Sequence, residues 1–221
     1  MSPQNPVIIW FRRDLRLADN PALYAGLQSG KPLILLYIDE DNRARALGGA
    51  AKVWQHHSLL SLKSSIETNG GQLILRRGAA ADILRDILTQ TGADEIHWNR
   101  RYEGWARAID EGLKIDLKAQ GIAVQSHKAN LLTEPWETQT KSGGFYKVFT
   151  PFWRAVCRDI EVAPPIAAPH SLNCFAGLQS ADLESWNLRP TAPDWGASII
   201  ANYEPGEACL LYTSPSPRDR G

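Results

Sequence analysis

An α/β fold built on a doubly wound, five-stranded parallel sheet is what the sequence predicts for residues 1–127, and two features predict it. Short runs of β-branched and apolar residues alternate with amphipathic stretches, the pattern of β-α-β units rather than of a sandwich or a bundle. Most of the runs are continuously apolar, as strands covered on both faces require. The five predicted strands are residues 7–11, 32–38, 72–76, 95–98 and 122–126. Helices fill the gaps. The first opens at Asp19-Asn20-Pro21, where Asp19 is expected to cap the free N–H groups and Pro21 has no N–H to leave unpaired in the first turn. The second runs over 50–68 and ends at Gly70-Gly71. Its apolar residues are Val53, Leu59, Leu60, Leu62 and Ile66, with Lys52, Gln55, His56 and Lys63 expected on the other side. The third covers 80–90 and the fourth 105–120, where Ile109, Leu113, Ile115 and Leu117 supply the apolar stripe. Right-handed crossovers then give a Rossmann-like sheet, whose ligands bind at the carboxyl ends of the strands. The segments following Phe11, Ile38, Arg76 and Trp98 are therefore where a site is expected.

Beyond residue 127 the texture changes. An irregular stretch, 128–144, leads into 145–160, dense in aromatic and basic residues, and then into the proline-rich run 162–169, which reads as an extended linker. The whole of 128–195 is assigned to an interdomain linker, and 196–208 to the start of a further domain. Residues 209–221 resemble the in-frame translation of a sequencing adapter and are set aside from fold reasoning.

Composition narrows the function. In 221 residues, 24 Lys and Arg balance 24 Asp and Glu, so no overall basic excess argues for phosphate-backbone binding. No run approaches a membrane span and the start lacks a signal-peptide pattern, so a cytoplasmic protein without membrane partners is expected. Cys157, Cys174 and Cys209 are odd in number and far apart, which predicts reduced thiols and no metal site. His56-His57 are adjacent and cannot form a metal-binding i, i+4 pair on a helix. Neither Ser58 nor Cys157 has a base and an orienting acid nearby in sequence, so no catalytic residue is assigned to this chain.

Motifs carry the sharper reading. Trp10-Phe11-Arg12-Arg13-Asp14-Leu15-Arg16 places three arginines and an aspartate at the end of a buried strand, where such charges are costly unless paired; an ion-pair and capping network is expected there. The same string closely resembles the opening of the photolyase/cryptochrome family of blue-light flavoproteins. Gly48-Gly49-Ala50-Ala51-Lys52-Val53-Trp54, Trp98-Asn99-Arg100-Arg101-Tyr102-Glu103, Tyr146-Lys147-Val148-Phe149-Thr150-Pro151-Phe152-Trp153 and Tyr203-Glu204-Pro205-Gly206-Glu207-Ala208 resemble later family segments in the same order.

The resemblance implies the N-terminal part of a deoxyribodipyrimidine photolyase, a carbon-carbon lyase that splits cyclobutane pyrimidine dimers in damaged DNA using FAD. It implies an α/β domain able to hold a second, antenna chromophore, and a helical domain holding FAD and DNA. Of the helical domain only the first turns match, so the chain alone is expected to be inactive. A monomer is expected. By position the resemblance implies Tyr37, Lys52, Arg101 and Glu103 as chromophore-binding residues: a ring to stack, cations for an acidic tail, and a carboxylate to accept from ring N–H groups. Trp105-Ala106 stand where folate-binding members carry Asn-Glu, which disfavours folate and leaves a deazaflavin, another flavin or an empty site open. Trp10, Trp54, Trp98, Trp105, Trp136, Trp153, Trp186 and Trp195 are expected to pack in the core or at an interface. The basic and aromatic residues of 145–158 are expected to brace the two domains. The alternatives are a cryptochrome-type light receptor and a stand-alone nucleotide- or chromophore-binding module.

Overall fold

The computed structural model describes residues 4–40 and 46–207. Five parallel strands, β1 (Val7–Phe11), β2 (Leu33–Asp39), β3 (Leu73–Arg77), β4 (Glu95–Asn99) and β5 (Ala123–His127), form one sheet of order β3-β2-β1-β4-β5. Each predicted strand is present, four of them shifted or extended by one residue at an end.

Alternation of side chains along each strand builds two cores. Val7, Ile9, Phe11, Leu33 and Leu35 point to one face, where α1 (Pro21–Gln28) and α2 (Gly49–Thr68) contribute Ala22, Leu23, Leu59, Leu62 and Ile66. Ile8, Trp10, Ile34 and Leu36 point to the other, against Leu84 and Ile87 of α3 (Ala80–Thr91) and Leu113 and Leu117 of α4 (Gly104–Ala119). A fully buried side chain of this kind contributes about 1.5–3 kcal/mol, and β1 and β2 are buried at every position.

The first helix is capped by Asn20, not Asp19: the Asn20 carboxamide oxygen accepts from Leu23 N at 3.1 Å. Asp19 adopts a left-handed backbone, φ 48°, and binds the proline-rich segment, its N–H donating to the Ile166 carbonyl at 2.7 Å. The proline-rich run is extended, as expected, and α5 (Phe149–Asp159) precedes it. A last helix, α6 (Ala197–Asn202), lies at the start of the 196–208 segment.

The segment after the proline-rich run does more than link. Leu172, Leu183, Trp186 and Leu188 are buried in the first core and Leu178 in the second. Leu33 N donates to Asn173 O and Phe175 N to Leu33 O, so the strap bonds to β2 itself. It also covers the flank of α2 expected to face water. His56 is consequently buried against Glu184, Gln55 is buried toward the sheet, where it donates to Asp39 at 3.2 Å, and Leu60 is 38% exposed. On α4 the stripe is narrower than predicted, with Ile115 exposed.

Candidate functional site

The chain leaves β1 toward β2 and β3, then returns to place β4 on the other side of β1. Loops leaving β1 and β4 diverge at that switch point and leave a crevice at the carboxyl ends of the strands. A cavity of about 350 Å³ occupies it. Arg12, Arg13, Leu15 and Arg16 of the β1–α1 loop form one wall, and Tyr37, Ile38 and Glu40 at the end of β2 form the floor. Ala51, Trp54, Gln55 and Ser58 face it from α2, Arg101 and Trp105 from the segment after β4, and Gly206 and Glu207 close the rim.

The charges expected to pair after β1 do so, but mostly with partners far along the chain. Arg12 makes a two-pronged contact to Asp110 at 2.8 Å, and its other amino group donates to the Asn99 carbonyl. Asp14 accepts from Arg12 N at 2.8 Å and from Asn99 Nδ2 at 2.5 Å. Asn99 also donates to Asn20 and accepts from Ala22 N, tying the end of β4 to the start of α1. Arg101 donates to Glu40 Oε2 at 2.5 Å and to Asp110 Oδ1 at 2.6 Å. Burial lowers the pKa of Arg12, with Asp110 partly offsetting that effect. Burial also opposes the charge on Arg101, but there the Asp110 and Glu40 carboxylates prevail and its pKa lies above the ordinary value. Arg12 lies over Trp10 at 4.9 Å, and Arg101 lies 5.6 Å from the Trp105 ring. Two guanidinium groups are thus held in a nearly dry wall by two carboxylates, Asp110 and Glu40, and two indoles.

The last described residues seal the opposite rim. Glu207 accepts from Leu17 N at 2.9 Å and Ala18 N at 2.8 Å. Gly206, at φ 129°, lies so close to α2 that a Cβ there would stand 2.3 Å from Ser61 Oγ.

Comparison with known proteins agrees with this architecture. A family model described as DNA photolyase matches residues 7–170. The chain belongs to the DNA photolyase family. A deoxyribodipyrimidine photo-lyase of Agrobacterium fabrum is 48% identical over 207 residues, 93% of this chain and 43% of the relative. Cryptochrome-1 of Arabidopsis thaliana is 37% identical over 169 residues, 75% of this chain and 25% of the relative. The crystal structure of a bacterial class III photolyase from Agrobacterium tumefaciens matches with a TM-score of 0.89 at 47% identity, over 94% of this chain and 43% of that one. The chain therefore spans about two fifths of the length of the photolyase relatives it matches, in their N-terminal part.

Within this photolyase-family chain the four residues singled out by position separate. Tyr37 and Arg101 line the cavity, Tyr37 also packing against Trp186 with ring centroids 6.2 Å apart. Lys52 is exposed and off the lining: Ala51, Trp54, Gln55 and Ser58 form the inward stripe of α2, and Lys52 lies about 100° around the helix from Ala51. Glu103 pairs with Arg13 and lines a neighbouring cleft that shares Arg12, Arg13 and Arg101 with the cavity. Glu40, Asp110, Trp54 and Trp105 were not singled out. The rule that ligands gather after the strands pointed to the segment holding Glu40, but Asp110 sits two turns into α4, where no motif marks it.

Other groups sort by burial. Trp10 and Trp98 are fully buried edge to face at 5.7 Å and Trp186 is buried, whereas Trp54, Trp136, Trp153 and Trp195 are 37–58% exposed. Cys157 and Cys174 are free thiols; Cys209, like all of 209–221, lies outside the described residues. Among the described residues no group of three or more His, Cys, Asp or Glu is arranged to hold a metal, and no helix is long and apolar enough to cross a membrane. His97 pairs with His127, Nδ1 to Nε2 at 2.9 Å.

Proposed function

We propose that this chain is the chromophore-holding α/β domain and linker of a light-dependent deoxyribodipyrimidine photolyase whose substrate is DNA carrying cyclobutane pyrimidine dimers. The observation that carries the reading is the 48% identity to a photo-lyase over 93% of the chain, against 37% over 75% for a plant cryptochrome. The family resemblance assigns dimer splitting to FAD, which supplies the electron when bound in the helical domain. No described residue is assigned to FAD, and no residue here is given a step in the splitting.

An antenna chromophore fits the crevice. Its walls offer flat apolar faces from Tyr37, Trp54 and Trp105, with arginines at one side. It also holds buried polar atoms without protein partners among the described residues, on Glu40, Arg12 and Arg101. Such atoms in a concave, aromatic-lined space are what a planar polar ligand satisfies. Tyr37 would stack, Arg101 would orient its neighbours, and Arg13 and Arg16 would face an acidic tail. The exposed, stacked Phe149 and Trp153 of α5 suit the bracing role proposed for that segment.

The direct test reads the gene through codon 207 and assays the purified product of the uninterrupted frame. Loss of thymine dimers from an irradiated oligonucleotide under blue light, and none in the dark, is the expected result. An FAD-loaded product that binds the lesion but never repairs it in light would move the assignment to a cryptochrome-type receptor.

A further inference from the structure

A second cavity, of about 400 Å³, opens between α4, the carboxyl ends of β4 and β5, and the segment 134–145. Arg101 is the one lining residue it shares with the crevice. At its base Ser126 Oγ accepts from Arg100 Nε and from Lys114 Nζ, both at 3.3 Å. A serine hydroxyl has two lone pairs and one hydrogen. With both lone pairs engaged, Ser126 keeps its O–H for a further acceptor, and the Lys114 ammonium has N–H groups to spare as well.

Charge singles out Lys114. The other ionised groups lining the cavity are paired: Arg100 with Glu134, Arg101 with Glu40 and Asp110, and Arg107 with Glu111. Lys114 is half-buried and has no carboxylate within ion-pair distance among the described residues; its one hydrogen bond is to Ser126. Burial lowers its pKa, Lys118 and Arg100 lower it further, and Asp110 opposes them. A half-buried ammonium next to a free hydroxyl is a set of donors without an acceptor, and an oxyanion completes it.

The linker supplies the rest of the wall. Pro135, Trp136 and Phe145 line the cavity, and the two aromatic residues are 58% and 72% exposed. Trp136 is nevertheless held in place. Arg100 lies 5.8 Å from its ring centroid, and the turn that carries it is closed by Glu137 N donating to Glu134 O at 3.0 Å and Glu134 N donating to Glu137 Oε2 at 2.8 Å. An indole fixed in this way at the mouth of a cavity is a surface on which a flat ring can stack.

We propose that this cavity is a second binding site, for a small planar aromatic anion whose carboxylate or phosphate group is held by Lys114 and Ser126 while its ring lies against Trp136. The site stands apart from the chromophore reading, because neither Lys114, Ser126 nor Trp136 lines the crevice.

Equilibrium dialysis of the purified protein at pH 7.5 tests the proposal with two anions, indole-3-acetate and AMP, and their uncharged counterparts, tryptophol and adenosine. At least one anion should bind about 10-fold or more tightly than its counterpart, the scale of one charge-assisted hydrogen bond. Which of the two does so tells a carboxylate site from a phosphate site. Lys114→Met keeps the apolar stem and should abolish that preference while the uncharged compound binds as before. Trp136→Ala should weaken anion and counterpart alike, by about 5- to 10-fold. Should Lys114→Met fail to fold, Ser126→Ala takes its place and should weaken the anion severalfold and its counterpart not at all. Binding of neither anion, equal affinity for anion and counterpart, or a preference that survives these changes at Lys114 or Ser126 overturns the proposal and leaves the chromophore crevice untouched.

Discussion

Acidification should loosen the β4–β5 edge of the sheet through His127, and the size of the effect can be worked from its surroundings. His97 Nε2 lies 3.0 Å from Glu95 Oε1, so the tautomer that donates there leaves His97 Nδ1 as an acceptor for His127 Nε2–H. Both rings are then neutral and stacked, centroids 5.1 Å apart. Burial pushes the His127 pKa from 6.5 to about 4, and nearby His97, Arg100 and Lys114 push in the same direction. His97 is lowered as well, by burial, with Glu95 opposing; Glu95 is meanwhile paired with Lys31 at 3.0 Å. The unfolded chain takes up the proton near pH 6.5 and the folded chain only near 4. Stability is therefore intact above about 6.5, falls as pH drops toward 4, and falls no further from this group below that. At 1.36 kcal/mol per pH unit the ceiling is about 3 kcal/mol, and because His127 keeps some contact with water, about 2 kcal/mol is expected. Urea unfolding of wild type and His127→Gln at pH 7.5, 6, 5 and 4 measures it. The wild type should lose about 2 kcal/mol relative to the variant across that range. Parallel pH profiles would refute the reasoning.

Three further outcomes follow from the packing. Asp110→Asn leaves Arg12 and Arg101 buried without their shared carboxylate and should destabilise by about 3–5 kcal/mol in denaturant titration; a loss below 1 kcal/mol would mean that the wall rearranges. Trp186→Ala removes the ring packed on Tyr37 and beneath Arg77 and should cost about 3–5 kcal/mol by the same measurement, whereas a strap that merely links would tolerate it. Glu207→Ala frees the amides of Leu17 and Ala18, so their hydrogen exchange should quicken severalfold while the amides of β1 stay protected.

The strands were legible because continuous burial writes itself as continuous hydrophobicity: 7–11 and 32–38 read as buried on both faces, and all but Pro32 are. Chain order with helical crossovers was legible for the same reason, since a helix that covers a sheet carries its own stripe. Side-chain choices governed by distant partners were not. Pro21 as the first helical residue already favours Asn20 over Asp19 as the cap, and the Asn99 amide and the Ile166 backbone, 79 and 147 residues away, hold Asn20 turned in and Asp19 turned out. His56 looked solvent-facing because the strap that buries it arrives more than a hundred residues later, and Gln55 because its acceptor, Asp39, lies on β2.

The candidate site divides along the same line. Sequence alone determined the sheet, the carboxyl-end location of the crevice, the family, and two of its lining residues, Tyr37 and Arg101. These depend on periodicity and on motifs contiguous in the chain. Only the tertiary structure decided that Lys52 faces water, that Glu103 is spent on Arg13, and that Glu40 closes on Arg101. Hydrogen-bond capacity is shared out among groups that meet only after folding, so which carboxylate pairs with which arginine is a property of the packed wall and not of any segment of it.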